Sequence, residues 1–247
     1  MHNTIKLIRL IFIVSIVSLA AAVLLSSCGK SEKKPLSYYN SEGDKMLRSG
    51  NNEGAQKLMT EAVAKYPHDA VAHIILGRVY TELNQNDRAL AEFNSAIGID
   101  AKIAAAYAGR GLVFKNTGRA QEALRDYDQA LSLDPNIILA LVGKSSILRE
   151  IGRYDDALAF VDKAIGLDPD NSDLYYNKGN IYLSSGRYEE ALPLYDKALA
   201  LKPDNYHACV NKAAALAHLK RVAEAAKYYR KAHELYPSFE PPDWAKK

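Results

Sequence analysis

Five of the nine prolines in this sequence recur at intervals of 34 residues or a multiple of 34. They are Pro67, Pro135, Pro169, Pro203 and Pro237, and Ala101 stands in the one slot without a proline. A fixed period of this length is typical of a solenoid whose unit is a pair of stacked helices. It divides the chain into six blocks, which are 36–69, 70–103, 104–137, 138–171, 172–205 and 206–239. The sequence therefore predicts an all-α protein.

The same positions of the blocks carry residues of the same size. Position 20 is Ala55, Ala89, Ala123, Ala157, Ala191 and Ala225, and position 27 is Ala62, Ala96, Ala130, Ala164, Ala198 and Ala232. Position 8 is small in every block, whereas positions 11 and 24 are mostly large. Small residues let two helices approach and large ones fill the space around the crossing, so each block is predicted to be an antiparallel helix pair.

The predicted turns have the residues that turns require. Glycine stands at position 15 of four blocks, where it gives the backbone the freedom that a tight turn between two helices needs: Gly50, Gly118, Gly152 and Gly186. The pairs Asp134-Pro135 and Asp168-Pro169 end the second helix of a block, because proline disfavours a helical residue before it.

The third block resembles one full copy of the tetratricopeptide repeat motif. The matching residues are Tyr107, Arg110, Gly111, Phe114, Ala123, Tyr127, Ala130 and Pro135. The resemblance implies a right-handed superhelical solenoid of six helix-turn-helix repeats over residues 36–239, followed by a C-terminal tail at 240–247. Only a few residues follow Pro237, so we expect no full capping helix and an uncapped C-terminal end.

The N-terminus has the order of a bacterial export signal. Lys6 and Arg9 precede an apolar run over residues 10–25, which is short for a membrane span of roughly 20 residues. The following Leu25-Ser26-Ser27-Cys28 segment resembles the bacterial lipoprotein box. This implies a signal peptide at 1–27, a lipidated Cys28 that attaches the protein to a bilayer, and a polar linker at 28–35. The alternatives are an uncleaved signal anchor, or an ordinary signal peptide with a chance cysteine.

Gly29 lies next to the predicted lipidated cysteine. In enteric bacteria an aspartate at this place retains a lipoprotein at the inner membrane, so the resemblance implies the outer membrane, with the repeats facing the periplasm. The net charge is +3, and removal of Lys6 and Arg9 with the signal leaves +1. A nearly neutral mature protein does not indicate a nucleic-acid partner.

No motif for catalysis, phosphate binding or metal binding occurs in the sequence. HExxH, CxxC, GxSxG and a glycine-rich phosphate loop are all missing. We therefore expect neither an enzyme nor a bound cofactor or metal. Cys209 is the thiol that remains after lipidation of Cys28, and we interpret it as a small buried apolar residue.

The resemblance implies a peptide-binding groove on the concave face, lined by positions 2, 5, 6, 9, 12 and 13 of the first helices. The predicted groove residues are Val71, Ile74, Arg78, Ala108, Leu112, Lys115, Leu139, Val142, Arg149, Tyr176, Asn177, Asn180 and Asn211. Their types predict an apolar floor, a basic row of Arg78, Lys115 and Arg149, and asparagines that bond a peptide backbone. The alternative is that the apolar residues only complete the packing between repeats.

Chaperone-binding members of the family hold a C-terminal carboxylate with a clamp of lysines, asparagines and an arginine. Asn180 and Asn211 match its two asparagines, but Tyr176 stands where the first lysine belongs and no third repeat follows. We therefore expect a different peptide ligand.

These features together predict a non-catalytic adaptor in the bacterial envelope. It is similar to repeat lipoproteins that serve pilus secretin assembly, outer-membrane protein assembly or peptidoglycan-hydrolase recruitment. One alternative is a homo-oligomer that pairs through an uncapped C-terminal end bearing Tyr228, Tyr236 and Trp244. Another is an accessory subunit of an envelope enzyme complex.

The lipoprotein interpretation can be tested at its cysteine. Cys28→Ser removes the sulfur that would be acylated, so we expect it to abolish incorporation of a palmitate analogue and to leave an uncleaved precursor. Metabolic labelling of both proteins measures this, and equal labelling would rule out lipidation at Cys28.

Overall fold

The computed structural model describes residues 34–245, so the predicted signal peptide and Cys28 lie outside the described residues. Within this range the chain forms twelve α-helices and no strand. The helices are α1 (Leu36–Arg48), α2 (Asn52–Lys65), α3 (Ala70–Glu82), α4 (Asn86–Ile99), α5 (Ala104–Asn116), α6 (Ala120–Leu133), α7 (Ile138–Glu150), α8 (Tyr154–Leu167), α9 (Ser172–Ser184), α10 (Tyr188–Leu201), α11 (Tyr206–His218) and α12 (Val222–Leu235). Each block contributes two helices, which confirms the predicted all-α solenoid of about six repeats.

The helices form two layers. The first helix of each repeat contacts its own second helix and also the first helix of the next repeat. Second helices contact the first helix of the following repeat, but no two second helices contact each other among the described residues. Because the first helices lie closer together, the array curves toward them, and they line its concave face.

Residues in the left-handed region connect the two helices of each repeat. Gly50, Gly118, Gly152 and Gly186 have φ between 75° and 79°. Where position 15 is not glycine, Asn84 (φ 55°) and Lys220 (φ 61°) adopt the same conformation. Non-glycine residues adopt it at some cost, so the turn geometry is retained even where the sequence does not favour it.

A large side chain at position 24 wedges the repeats together. A Cβ added to Gly77 would lie 3.0 Å from the Phe93 ring, and one added to Gly109 of the next repeat would lie 2.4 Å from it. Tyr127 fits in the same way between Gly111 and Gly143. Small residues at position 8 of one repeat and position 6 of the next therefore make room for the ring. Position 6 was predicted to face the groove. In these two repeats the glycine at position 6 instead packs against the ring of the preceding repeat.

Polar side chains form a ladder between neighbouring repeats. A cation at position 7 reaches position 25 of the preceding repeat in each of four successive interfaces: Arg110 to Asn94, Lys144 to Asp128, Lys178 to Asp162 and Lys212 to Asp196. The Lys178 Nζ to Asp162 Oδ1 distance is 2.6 Å. Partly exposed ion pairs of this kind each contribute ~0 to 1 kcal/mol to stability. The ladder therefore affects the alignment of neighbouring repeats more than the stability of the fold.

The C-terminal end is partly covered: no full capping helix follows α12 within residues 34–245, as expected, and Tyr236 and Trp244 are each 46% exposed. The tail turns back and a short 3₁₀ helix, Asp243–Ala245, packs on α12. Ala245 is fully buried, and its carbonyl accepts a hydrogen bond from Arg230 Nη1 at 3.2 Å. The Trp244 ring packs edge-on against Tyr229, with 5.7 Å between the ring centroids.

No helix within residues 34–245 is both long enough and apolar enough to cross a bilayer.

The close helix crossing at position 20 generates the first stability test. Ala157 is fully buried, and its carbonyl accepts a hydrogen bond from Ser145 Oγ of α7 at 2.8 Å. Ala157→Leu should overpack this crossing and lower the free energy of unfolding by ~1 to 3 kcal/mol. Ala159→Leu is the matched control, because Ala159 is an exposed residue of the same helix. Urea melts of the soluble 29–247 fragment measure the difference, and equal midpoints for the two variants would refute the assigned packing.

Candidate functional site

The predicted apolar floor is divided between surface and core. Val71 and Leu139 are 45% and 40% exposed, and Leu112 and Val142 are half-buried. Ile74 retains only 8% exposure, and Ala108 is fully buried. Ala108 is therefore not a groove contact, because helix packing covers it completely, and Ile74 belongs mainly to the core.

A depression of about 380 Å³ opens on the concave face where the first four repeats meet. Leu112 and Leu139 form apolar walls together with Leu47. Gly109 and the Phe93 ring also line the depression, and the missing Cβ of Gly109 makes room for that ring. Leu47 was not among the predicted residues. It occupies position 12 of its repeat, so the repeat register could have identified it.

The basic row is only partly compensated by acidic groups. Arg78 Nη1 donates to Asp44 Oδ1 at 2.8 Å, and Arg48 lies 2.7 Å from the other oxygen of the same carboxylate. Partial burial raises the pKa of Asp44, but its hydrogen bonds and ion pairs with these arginines outweigh burial and hold the pKa below its usual value. Arg149 lies 3.5 Å from Glu150, and Lys115 is half-buried. Because one carboxylate pairs with two arginines, a net positive charge remains beside Asp44.

The second half of the groove is polar and hydrogen-bonded. Asn180 Oδ1 accepts from the Tyr195 hydroxyl at 2.9 Å and from Asn211 Nδ2 at 2.8 Å. Asn211 Nδ2 also donates to the Tyr176 hydroxyl at 3.2 Å. Asn177 lies one turn from these residues, is half-buried and takes no part in the network. The structure thus brings three predicted residues together with Tyr195, which sequence reasoning had assigned only to the core.

The Cys209 thiol lies away from the groove surface. Cys209 is fully buried, and burial raises the pKa of its thiol. A thiol in this state is a packing residue and a poor nucleophile.

Three tetratricopeptide repeat models match the chain, at residues 176–238, at 46–109 and 148–192, and at 104–137. Together they cover most of the sequence. The chain belongs to the tetratricopeptide repeat family. Proteins of this family are generally non-catalytic scaffolds for protein–protein interaction. No curated protein sequence matches the chain.

Solved tetratricopeptide repeat structures share the fold at low identity. PilF of Pseudomonas aeruginosa is 19% identical, with a TM-score of 0.68 over 83% of this chain and 93% of that one. PilW, a type IV pilus biogenesis factor, is 16% identical, with a TM-score of 0.73 over 84% and 96%. YrrB, which has an unusual peptide-binding site, is 22% identical, with a TM-score of 0.56 over 76% and 95%. At these identities the likeness concerns the fold alone.

The residue at repeat position 24 has different surroundings in the third and the fifth repeat. Tyr127 and Tyr195 are both fully buried, and burial raises the pKa of both phenols. The Tyr195 hydroxyl reaches Asn180, which stands at position 9 of its repeat. Position 9 is Leu112 in the repeat of Tyr127, and the Tyr127 hydroxyl has no hydrogen-bond partner within the described range.

This difference predicts opposite effects of one substitution. Tyr127→Phe removes an unsatisfied buried hydroxyl and should raise the free energy of unfolding by ~1 kcal/mol, as Phe93 already occupies this position in another repeat. Tyr195→Phe removes a satisfied hydroxyl and should lower the free energy of unfolding by ~1 kcal/mol. Urea unfolding of both variants tests the comparison, and the same sign for both would contradict the assigned hydrogen bonding.

Proposed function

We propose that this protein is a lipid-anchored adaptor of a bacterial cell envelope that binds a peptide segment of an envelope assembly in its concave groove. The family supports a scaffold that binds protein or peptide partners. The observation that carries the groove assignment is the depression formed by Leu47, Leu112 and Leu139. It is concave, mainly apolar in its walls and edged by polar groups, which is the usual character of a recognition pocket.

The mode of binding follows from the two halves of the groove. The half-buried and exposed leucines of the first half would supply affinity by burying apolar side chains of the ligand. The asparagines of the second half would bond the polar backbone of the same segment. Because Asp44 pairs with both Arg48 and Arg78, a net positive charge remains at this edge, and it would act on the rate of association more than on affinity.

The envelope location rests on the sequence. The lipoprotein box at Cys28 supports anchoring to a bilayer, and Gly29 favours the outer membrane with the repeats in the periplasm. The fold likeness to PilW, a type IV pilus biogenesis factor, agrees with an adaptor in envelope assembly. The oligomer alternative keeps two of the aromatic side chains on which it rests, because Tyr236 and Trp244 are each 46% exposed.

Two leucines of equal exposure provide a matched test of the groove. Leu139 is 40% exposed in the depression, and Leu167 is 41% exposed at the end of α8, a second helix outside the concave layer. A peptide is first selected on the wild-type protein from a displayed library of random sequences. Leu139→Asp would place a charge in a desolvated contact and should weaken binding of that peptide more than tenfold, mainly through faster dissociation. Leu167→Asp should change its affinity less than twofold.

Both variants must keep the helical circular dichroism of the wild-type protein, since lost folding would resemble lost binding. Equal affinity for the two well-folded variants would show that the concave groove is not the binding surface.

A further inference from the structure

The outer face of α1 departs from the repeat pattern. Positions 3, 6 and 10 lie on one face of a first helix, and position 6 contacts the preceding repeat, as Gly109 contacts Phe93. In the five later repeats, positions 3 and 10 are apolar and buried: Ala72, Ala106, Ala140, Leu174 and Ala208, and Val79, Val113, Ile147, Ile181 and Ala215. In the first repeat these positions are Tyr38 and Lys45, and both are exposed.

Exposed residues form a continuous stripe along this face, which we call the outer stripe. Its members are Lys34, Tyr38, Ser41, Lys45 and Arg48. Their spacing of three or four residues places them on one side of the helix. Within residues 34–245, α1 contacts only α2 and α3, and its buried residues Tyr39 and Gly43 lie on the opposite side. The outer stripe therefore has three cations, a tyrosine and no acid, where later repeats have a packed interface.

The cations of the outer stripe are more accessible than the acids that pair with them. Lys45 Nζ lies 3.2 Å from Glu42, and the two side chains are 74% and 28% exposed. Arg48 lies 2.7 Å from Asp44, and these side chains are 79% and 26% exposed. Asp44 also pairs with Arg78, so it compensates Arg48 only in part. An anionic surface that approaches this face therefore meets the cations first.

The chain reaches the outer stripe from the predicted lipid anchor. The Tyr66 hydroxyl donates to the carbonyl of Lys34 at 3.0 Å, which holds the entering chain beside the end of α2. Lys34 is six residues after Cys28. An extended chain spans at most ~3.6 Å per residue, so Lys34 lies within about 22 Å of the predicted acylated cysteine. The sequence between them adds Lys30 and Lys33 against a single acid.

The side chains next to the anchor have the chemistry of a membrane surface site. Lys34 Nζ lies 4.4 Å from the centroid of the Tyr38 ring and donates to its hydroxyl at 3.2 Å. Tyrosine prefers the boundary between apolar lipid chains and water, because its ring is apolar and its hydroxyl is polar. Lysine and arginine lay their apolar stems along such a boundary and extend their charged ends toward phosphates. A polar end repeat needs only solubility, which does not require cations alone.

We propose that the outer stripe lies on the surface of an anionic phospholipid bilayer when Cys28 is anchored, with the Tyr38 ring among the headgroups and the cations beside lipid phosphates. This inference rests on the lipid anchor of the proposed function and specifies which face of the protein meets the membrane. The attraction of cations to anionic lipid extends over about 8 Å at physiological ionic strength, and the short tether keeps the stripe near that range.

This contact would orient the whole array. Because the outer stripe runs along α1, this helix would lie parallel to the bilayer, and the other five repeats would stack away from it. The apolar half of the groove would then be nearer to the membrane than the polar half, and both would open to the side.

The single tryptophan of the chain provides an internal reference for a test. Trp244 is 46% exposed in the C-terminal tail, and Tyr38 is 39% exposed in the outer stripe. Full-length lipidated protein is reconstituted into phosphatidylcholine vesicles that contain about one third phosphatidylglycerol, with and without bromine on the lipid chains. Bromine quenches tryptophan only at short range. Brominated lipid should lower the fluorescence of Tyr38→Trp, Trp244→Phe protein at least twofold and leave that of Trp244 in the wild-type protein unchanged.

Charge reversal tests the role of the cations. Lys34→Glu with Lys45→Glu, added to the tryptophan 38 reporter, should reduce quenching at least threefold. The matched control is Lys163→Glu with Lys202→Glu, which changes the net charge equally at exposed lysines of later repeats. The control pair should leave quenching unchanged. All variants must keep the helical circular dichroism of the wild-type protein.

Flotation of the vesicles measures anchoring separately from the contact of the outer stripe. Protein that does not float would refute the lipid anchor and this inference with it. Protein that floats but is not quenched at position 38 would overturn this inference alone. Equal quenching on phosphatidylcholine vesicles, or in the charge-reversed variant, would overturn the contact between cations and anionic lipid. A spectral shift that depends on protein density and not on bromine would assign the stripe to a second copy of the chain instead.

Discussion

The insertion of one large side chain between two repeats is the interaction on which the rest of this structure depends. The ring of Phe93 or Tyr127 occupies space that small residues leave in its own repeat and in the next one. Side chains in protein interiors are closely packed, so such a wedge tolerates few alternatives in size or position. It holds the first helices close together, and their close spacing creates the concave face.

The same wedge explains why the groove has two kinds of surface. Where position 6 is glycine, as in Gly109, the missing Cβ makes room for the ring, and both Gly109 and Phe93 line the apolar depression. Where position 6 is Asn211, its amide meets the hydroxyl of Tyr176 and the amide of Asn180. One repeat position thus distinguishes an apolar part of the concave face from a polar part.

The ends of the array depend on features outside the repeat pattern. In the four interfaces of the polar ladder, the residue at position 25 that pairs with the cation is an acid or an amide. The last repeat has Arg230 at position 25 instead. Arg230 donates to the carbonyl of Ala245, so the tail takes the place of a further repeat. This contact and the packing of Trp244 on Tyr229 cover a surface that would otherwise expose apolar groups.

The sequence by itself determined the period, the helix pairs, the turns at Gly50 and its equivalents, and the buried alanines, because each of these follows from local backbone preference or from residue size at a fixed spacing. It also located the concave positions through the repeat register. Tertiary structure alone decided which of those positions stay exposed. Ala108 at position 5 is fully buried and Leu139 at position 2 is 40% exposed, although both were predicted groove residues, because neighbouring side chains pack over the first and leave the second on the surface. The pairing of Tyr195 with Asn180 and Asn211 was likewise beyond sequence reasoning, since the hydrogen bonds of a buried hydroxyl depend on distances of a few tenths of an ångström between helices.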